Sequence, residues 1–249
     1  MTRAAAGRSD RARSGLTLER EIIVHVSKIL IPTAILFATV AVTAAVASAT
    51  PTLSTNEGCY LVGQRVAITG SGFAASQMYQ VAVDGIDFGV STTDAAGAFT
   101  ASLIPGGLGA NIVEEIHGLS ASDGTSLTRT SFTVTRATGA RILAGTGTAA
   151  RLHAPFQVWG FALDHGKPAA GLGAPRLPVY VHYLNPRKIA ITTVPLGHTR
   201  GQCGYLRTAA RRVFPFIPSR GSWTLQVDSQ PIYAAHPVGP VAKITVRVS

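Results

Sequence analysis

Residues 65–83 read RVAITGSGFAASQMYQVAV, and the spacing of their apolar side chains decides the fold class. Val66 and Ile68 alternate with Arg65, Ala67 and Thr69; Tyr79, Val81 and Val83 alternate with Met78, Gln80 and Ala82. A period of two puts one set on each face of an extended chain, so RVAIT (Arg65–Thr69) and MYQVAV (Met78–Val83) are strands with one buried face. Between them GSGF (Gly70–Phe73) supplies a glycine corner and an aromatic, and Asp84-Gly85 closes the second strand with a hairpin-type turn.

The pattern continues outward. DAAG (Asp94–Gly97) is a turn that leads into AFTASL, with Phe99, Ala101 and Leu103 on one side. NIVEEIHGL, the turn Ser122-Asp123-Gly124 and TSFTVT (Thr130–Thr135) bring the count to about seven strands, the spacing of an antiparallel β-sandwich. The second half echoes this order faintly. FQVWGF (Phe156–Phe161) stands where GSGF stood, and PVYVHYL (Pro178–Leu184) is an alternating strand. GHTRGQCGYLRT (Gly197–Thr208) takes the place of TTDAAGAFTASL, while SWTLQV (Ser222–Val227) and AKITVRV (Ala242–Val248) close the chain. In the last strand Ile244, Val246 and Val248 alternate with Lys243, Thr245 and Arg247, a half-buried strand with a basic outer face.

The stretch VAITGSGF…VAVDG…GVSTTDAAGAFTASL resembles the bacterial Ig-like domains of surface proteins over roughly residues 60–135. A G-x-G-F corner after the first strand and a T-D-x-x-G-x-F turn carry the likeness. Both motifs have structural meaning, and the resemblance implies a spacer or adhesion module with no functional residues to carry over. The expected fold is all-β: two tandem Ig-like sandwiches, residues 50–135 and 136–249, after an N-terminal signal or membrane helix within residues 1–49.

That first segment places Arg3, Arg8, Arg11, Arg13, Arg20 and Lys28 ahead of the uncharged run Ile29–Val46, followed by Ala47-Ser48-Ala49. Basic residues, an apolar run and a small-x-small site describe a secretory signal. The run is also long enough to stay in a bilayer, so the small-x-small site fits cleavage and the length fits retention. Either outcome leaves the rest of the chain secreted, or anchored to the cytoplasmic membrane by residues 29–47. Cys59 follows Asn56-Glu57-Gly58, which is not the setting for lipid attachment.

Charge is sparse at 14% of residues and unevenly divided, although the chain as a whole carries +10. Residues 50–135 hold two basic against seven acidic side chains; residues 136–249 hold fourteen Lys and Arg against Asp164 and Asp228. Such a basic second domain points to an anionic component of the cell envelope or an acidic surface protein, and nucleic acid is a poor partner outside the cell. Its most distinctive run is RTAARRVFPF (Arg207–Phe216), and Arg200, Arg207, Arg211, Arg212 and Arg220 are the candidate anion-binding residues. The bland alternative makes Val213, Phe214 and Phe216 core and leaves the arginines merely solvated.

Catalytic chemistry finds little support. Cys59 and Cys203 are the two cysteines, one per expected domain, and either pair across the domains or leave Cys203 as a thiol among arginines. In exported cysteine transpeptidases a His-Gly precedes the nucleophile; here Thr199-Arg200-Gly201-Gln202 precede Cys203 and His198 stands five positions back. His153, His165, His182, His198 and His236 lack metal-ligand spacing, and His182 reads as a surface or packing residue. Asp84, Asp87 and Asp94 suit calcium-type loops but equally suit plain turns. No nucleotide or hydrolase fingerprint occurs. A non-enzymatic binding or structural protein without cofactor or metal is expected, with a pure spacer or protein-interaction module as the alternative, and a cysteine-dependent cell-wall enzyme using Cys203 behind both.

Overall fold

A computed structural model describes residues 50–164, 167–168 and 176–249. The N-terminal apolar run, its small-x-small site and His165 lie outside the described residues. Among the described residues no helix is long and apolar enough to cross a membrane. The described residues are all-β, and the sole helical element among them is one 3-10 turn at Ala149–Arg151.

Eight strands surround the first core: β1 (Thr52–Thr55), β2 (Cys59–Leu61), β3 (Val66–Ser71), β4 (Met78–Val83), β5 (Ile86–Thr92), β6 (Phe99–Leu103), β7 (Glu114–Ser122) and β8 (Leu127–Thr135). They form a three-stranded sheet in the order β1-β3-β6 and a five-stranded sheet in the order β2-β8-β7-β4-β5. Val66, Ile68, Tyr79, Val81, Val83, Phe99 and Leu103 meet Tyr60, Leu119, Phe132 and Val134 between the sheets. Alternation dictated this: β3 is buried at every second residue, and its intervening side chains stay in water. The Tyr79 and Phe99 rings stack at 3.9 Å, with Phe73 tilted against Phe99 at 5.3 Å.

Two departures stand out. TLST (Thr52–Thr55), which shows no apolar alternation, is strand β1. Leu53 pairs with Gly70, and hydroxyl pairs Thr52–Ser71 and Ser54–Thr69, each at 2.8 Å, lace its outer face. β2 joins β8 in parallel, whereas every other described strand pair is antiparallel. The chain crosses from one sheet to the other through Asn56–Gly58. That crossing is held by the Tyr60 hydroxyl, which donates to Asn56 Oδ1 and accepts from the Glu57 amide.

The second core is enclosed by β9 (Gly139–Ile142), β10 (His153–Ala154), β11 (Phe156–Trp159), β12 (Leu163–Asp164), β13 (Lys167–Pro168), β14 (Pro178–Leu184), β15 (Ala190–His198), β16 (Leu206–Arg207), β17 (Arg211–Arg212), β18 (Gly221–Asp228) and β19 (Ala242–Val248). A four-stranded sheet ordered β15-β14-β18-β19 faces a three-stranded sheet ordered β16-β11-β9. Phe156, Val158, Val179, Val181, Val213, Leu225 and Val227 are buried between them. Beside them Tyr183, Phe214, Phe216 and Trp223 form an aromatic cluster with centroids 5.3–5.8 Å apart. The two sandwiches share a local corner. After β3, Gly72 (φ +77°) precedes buried Phe73, and after β11, Gly160 (φ +71°) precedes buried Phe161.

His182 is not a surface residue. Its face of β14 is covered by the segment after β18, and its side chain is fully buried with Asp228. Nε2 lies 3.0 Å from Asp228 Oδ1 and Nδ1 lies 2.7 Å from the Thr193 hydroxyl. Asp228 also accepts from Gln226 Nε2 and the Gln230 amide, and Tyr233 packs edge-on against the imidazole. The pair ties β14, β15 and β18 to the covering segment, which satisfies the rule that buried charge needs partners.

The described residues belong to one compact unit. Cys59 of β2 and Cys203 are disulfide-bonded, Cα atoms 5.1 Å apart across 144 residues of chain, and with Leu163 and Leu61 they form a small third core. Hydrogen bonds extend this joint. Arg136 donates to the carbonyls of Ile112 and Gly109, Arg141 to that of Asn111, and Trp159 Nε1 to that of Ala137.

Candidate functional site

β15 is an edge of one sheet of the second sandwich, and β16 is an edge of the other. The two edges do not close on each other. Between them lies an open cleft of about 1420 Å³, continued along one side by residues 208–211. Its floor is apolar where Leu196, buried from β15, and Leu206, half-buried from β16, reach the core. Tyr205, Ala209 and Ala210 extend that floor.

The rim is cationic: Arg176, Arg200, Arg207 and Arg211 line the cleft with His198, and no Asp or Glu lines it. Local structure explains the placement. Arg200 and Tyr205 bridge each other in a tight turn through paired backbone hydrogen bonds of 2.7 and 2.8 Å. That turn carries Cys203 inward to the disulfide while Arg200 stays exposed. Arg207 pairs with Gln157 across β11 and remains exposed. Arg211 is half-buried, and its Nη1 donates to the Pro195 carbonyl at 3.0 Å, so its guanidinium spans from β17 to β15. None of these four arginines pairs with a carboxylate among the described residues. Four guanidinium groups round one depression, uncompensated, raise the local potential well above that of scattered surface charge.

Of the five arginines that the sequence singles out, Arg200, Arg207 and Arg211 come together here. Arg212 pairs with His153 in the short β10–β17 ladder and does not line the cleft; neither does Arg220. Arg176 was missed because it stands alone in its stretch of sequence. Only the pairing of β14 with β15, which sets Pro178 beside His198, brings it to the rim. Beneath the basic run, Val213 and Phe214 are buried, as the bland alternative has it, and Phe216 is partly buried. The carbonyl of Val213 accepts the Tyr183 hydroxyl at 2.6 Å, and burial pushes that phenol up to about 12.

Other candidates resolve differently. Cys203 is buried and its sulfur is spent in the disulfide, so it is not a nucleophile in this state. Asp84 accepts from the Gly118 amide and lies 2.7 Å from His117 Nδ1. Asp94 accepts from the amides of Ala96 and Ala98, and these carboxylates hold turns. Asp87 lies on exposed β5. Among the described residues no three His, Cys, Asp or Glu side chains gather as a metal site. His153, His198 and His236 are exposed and separate from buried His182.

A second, smaller crevice of about 310 Å³ opens at the joint between the sandwiches, lined by Asn111, Glu114, Ile116, Gln157 and Tyr205 among others. Burial pushes the Glu114 carboxyl up to about 7, and its Oε2 has no hydrogen-bond partner. Gln157 links Arg141 to the Tyr205 hydroxyl along the second-sandwich side of this crevice. Tyr205 thus lines both depressions.

No protein-family model and no curated protein sequence matches the chain. Among solved structures it is similar to a Salmonella alpha-2-macroglobulin, the Y1175G mutant. There the identity is 14% and the TM-score 0.28, over 80% of this chain and 15% of that one. It is also similar to red sea bream transglutaminase, at 11% identity and a TM-score of 0.27, over 81% of this chain and 31% of the other. The chain spans less than a third of either structure, and their activities are said of them alone.

Proposed function

We propose that this chain is an extracytoplasmic, non-catalytic binding protein of Ig-like tandem build, whose cleft between β15 and β16 takes an anionic component of the cell envelope. The single observation that supports this is the convergence of Arg176, Arg200, Arg207 and Arg211 on one depression without a carboxylate among its lining residues. Guanidinium groups present planar forks of donors that suit phosphate and carboxylate, and they remain charged at any physiological pH. Export is supported by the basic, apolar and small-x-small order of residues 1–49 and by a disulfide of the kind that persists in oxidising compartments. Residues 29–47 would serve as the membrane anchor if the segment is retained.

The test is a pull-down of residues 50–249 with isolated cell-wall material over a series of salt concentrations. Binding is expected to fall with salt, and to fall about tenfold or more for the Arg200→Ala, Arg207→Ala double variant. Arg212→Ala and Arg220→Ala, outside the cleft, serve as controls and should bind like the parent. Binding unaffected by the double variant would sink the site.

A spacer is the second reading, favoured by the joint itself. A disulfide, the Arg136 and Arg141 hydrogen bonds and the Trp159–Ala137 bond suit a rod that holds a fixed angle. It predicts no affinity for envelope material at any salt concentration.

A further inference from the structure

The arginines crown a floor that water solvates poorly. A purely polar polyanion needs a cationic stripe, and an apolar trench beneath it contributes nothing to such a ligand. In this cleft Leu196 and Leu206 reach from the floor to the second core, Ala209 and Ala210 offer further apolar surface, and Tyr205 adds an amphipathic ring. The guanidinium groups sit on the same lining. The volume of about 1420 Å³ exceeds that of ordinary small-ligand pockets, and a free phosphate would fill only a small part of it.

Sheet order explains why the trench persists. β15 and β16 are edges of opposing sheets, and beyond the Arg200–Tyr205 bridge that closes the turn between them no strand pairing draws them together. The Arg211–Pro195 hydrogen bond ties β17, at the end of the 208–211 rim, to β15. Pro195 also removes one amide from the β15 edge, which disfavours closure by an added strand. A much smaller opening in the first sandwich, about 140 Å³ between the edges β5 and β6, is lined by Tyr79, Val81, Phe88, Val90 and Leu103 but by no basic residue. Of these two clefts between sheet edges, one carries a cationic rim.

We infer that the cleft binds an anionic amphiphile: a phosphate or carboxylate head held by Arg176, Arg200 and Arg207, with its hydrocarbon chain laid on Leu196, Leu206 and Ala209. This rests on the anion-binding function proposed above and names its ligand class. Head and tail each have a counterpart in the cleft, charge complementarity at the rim and burial of apolar surface at the floor.

The experiment uses the full chain in phosphatidylcholine nanodiscs, with empty nanodiscs as the baseline. Three water-soluble probes are titrated by calorimetry: octyl phosphate, inorganic phosphate and octyl glucoside. Octyl phosphate is expected to bind at least tenfold more tightly than either of the others. Arg207→Gln should weaken it about tenfold by loss of a head contact. Ala209→Trp, at an exposed position that lines the cleft, should weaken octyl phosphate about tenfold and leave inorganic phosphate unchanged. If octyl phosphate binds no better than inorganic phosphate, the amphiphile inference is overturned while anion binding stands. If neither probe nor cell-wall polyanion binds above the empty-disc baseline, both fall together.

Discussion

Glu114 carries its carboxyl into the joint between the sandwiches, where burial raises it from the ordinary 4.5 to about 7 and leaves Oε2 without a partner. The folded protein therefore holds a proton that the unfolded chain has already released between those two values. The corresponding stability is fully present below about 4.5 and is lost as pH climbs toward 7. Glu114→Gln keeps the shape and removes the titration. Urea unfolding should show the variant more stable than the parent by about 1–2 kcal/mol at pH 8, after discounting for partial solvent screening. At pH 4 the two should be nearly equal; equal midpoints at pH 8 would contradict this. Asp228 presents the opposite case, a buried carboxylate with every oxygen engaged by His182, Gln226 or Gln230. Asp228→Ala leaves imidazole Nε2 without its partner and takes one of the two acceptors of Gln226 Nε2 in a dry site, and should cost about 3 kcal/mol in the same measurement.

Among the elements, the turn from Asp94 to Phe99 shows how sequence fixes geometry. Asp94 Oδ1 accepts two amides of its own loop, Gly97 sits at φ +71°, and a Cβ there would collide with the Phe73 carbonyl. Gly97→Ala should thus cost about 2 kcal/mol or more, beyond an ordinary loop substitution, and a chemical-denaturation midpoint measures it. This turn and the glycine corners were legible beforehand because each rests on a few adjacent residues. The alternating strands β3, β4, β6, β14 and β19 were legible for the same reason. β1 was hidden because Thr and Ser serve turns and edge strands alike, and only the hydroxyl partners on β3 decide between them. His182 deceived by alternation: it does lie opposite Val181, but the segment following β18 covers that face, and no local pattern announces such a cover. The cleft was half legible. Arg207 and Arg211 lie in one run, whereas Arg176 and Arg200 reach them only through strand pairing, and the apolar floor depends on which edges stay open.

For the whole molecule, the Cys59–Cys203 bond closes a loop of 144 residues and joins the two sandwiches. In the chain-entropy account such a closure contributes about 3–5 kcal/mol, and Cys59→Ser with Cys203→Ser should lower stability by that order at constant pH. The cleft lies on the second sandwich, so the reduced protein, while folded, should still bind anions. Charge divides along the same line: residues 50–135 are acidic, the remainder strongly basic, and the uncompensated arginines open on one cleft. The most direct measurement is hydrogen–deuterium exchange of residues 50–249 with and without isolated envelope material. Protection confined to the stretch around residue 176 and to residues 196–200 and 205–211 is predicted, and it should vanish in the Arg200→Ala, Arg207→Ala variant. Protection elsewhere, or none at any salt concentration, would contradict the assignment of the cleft as the binding site.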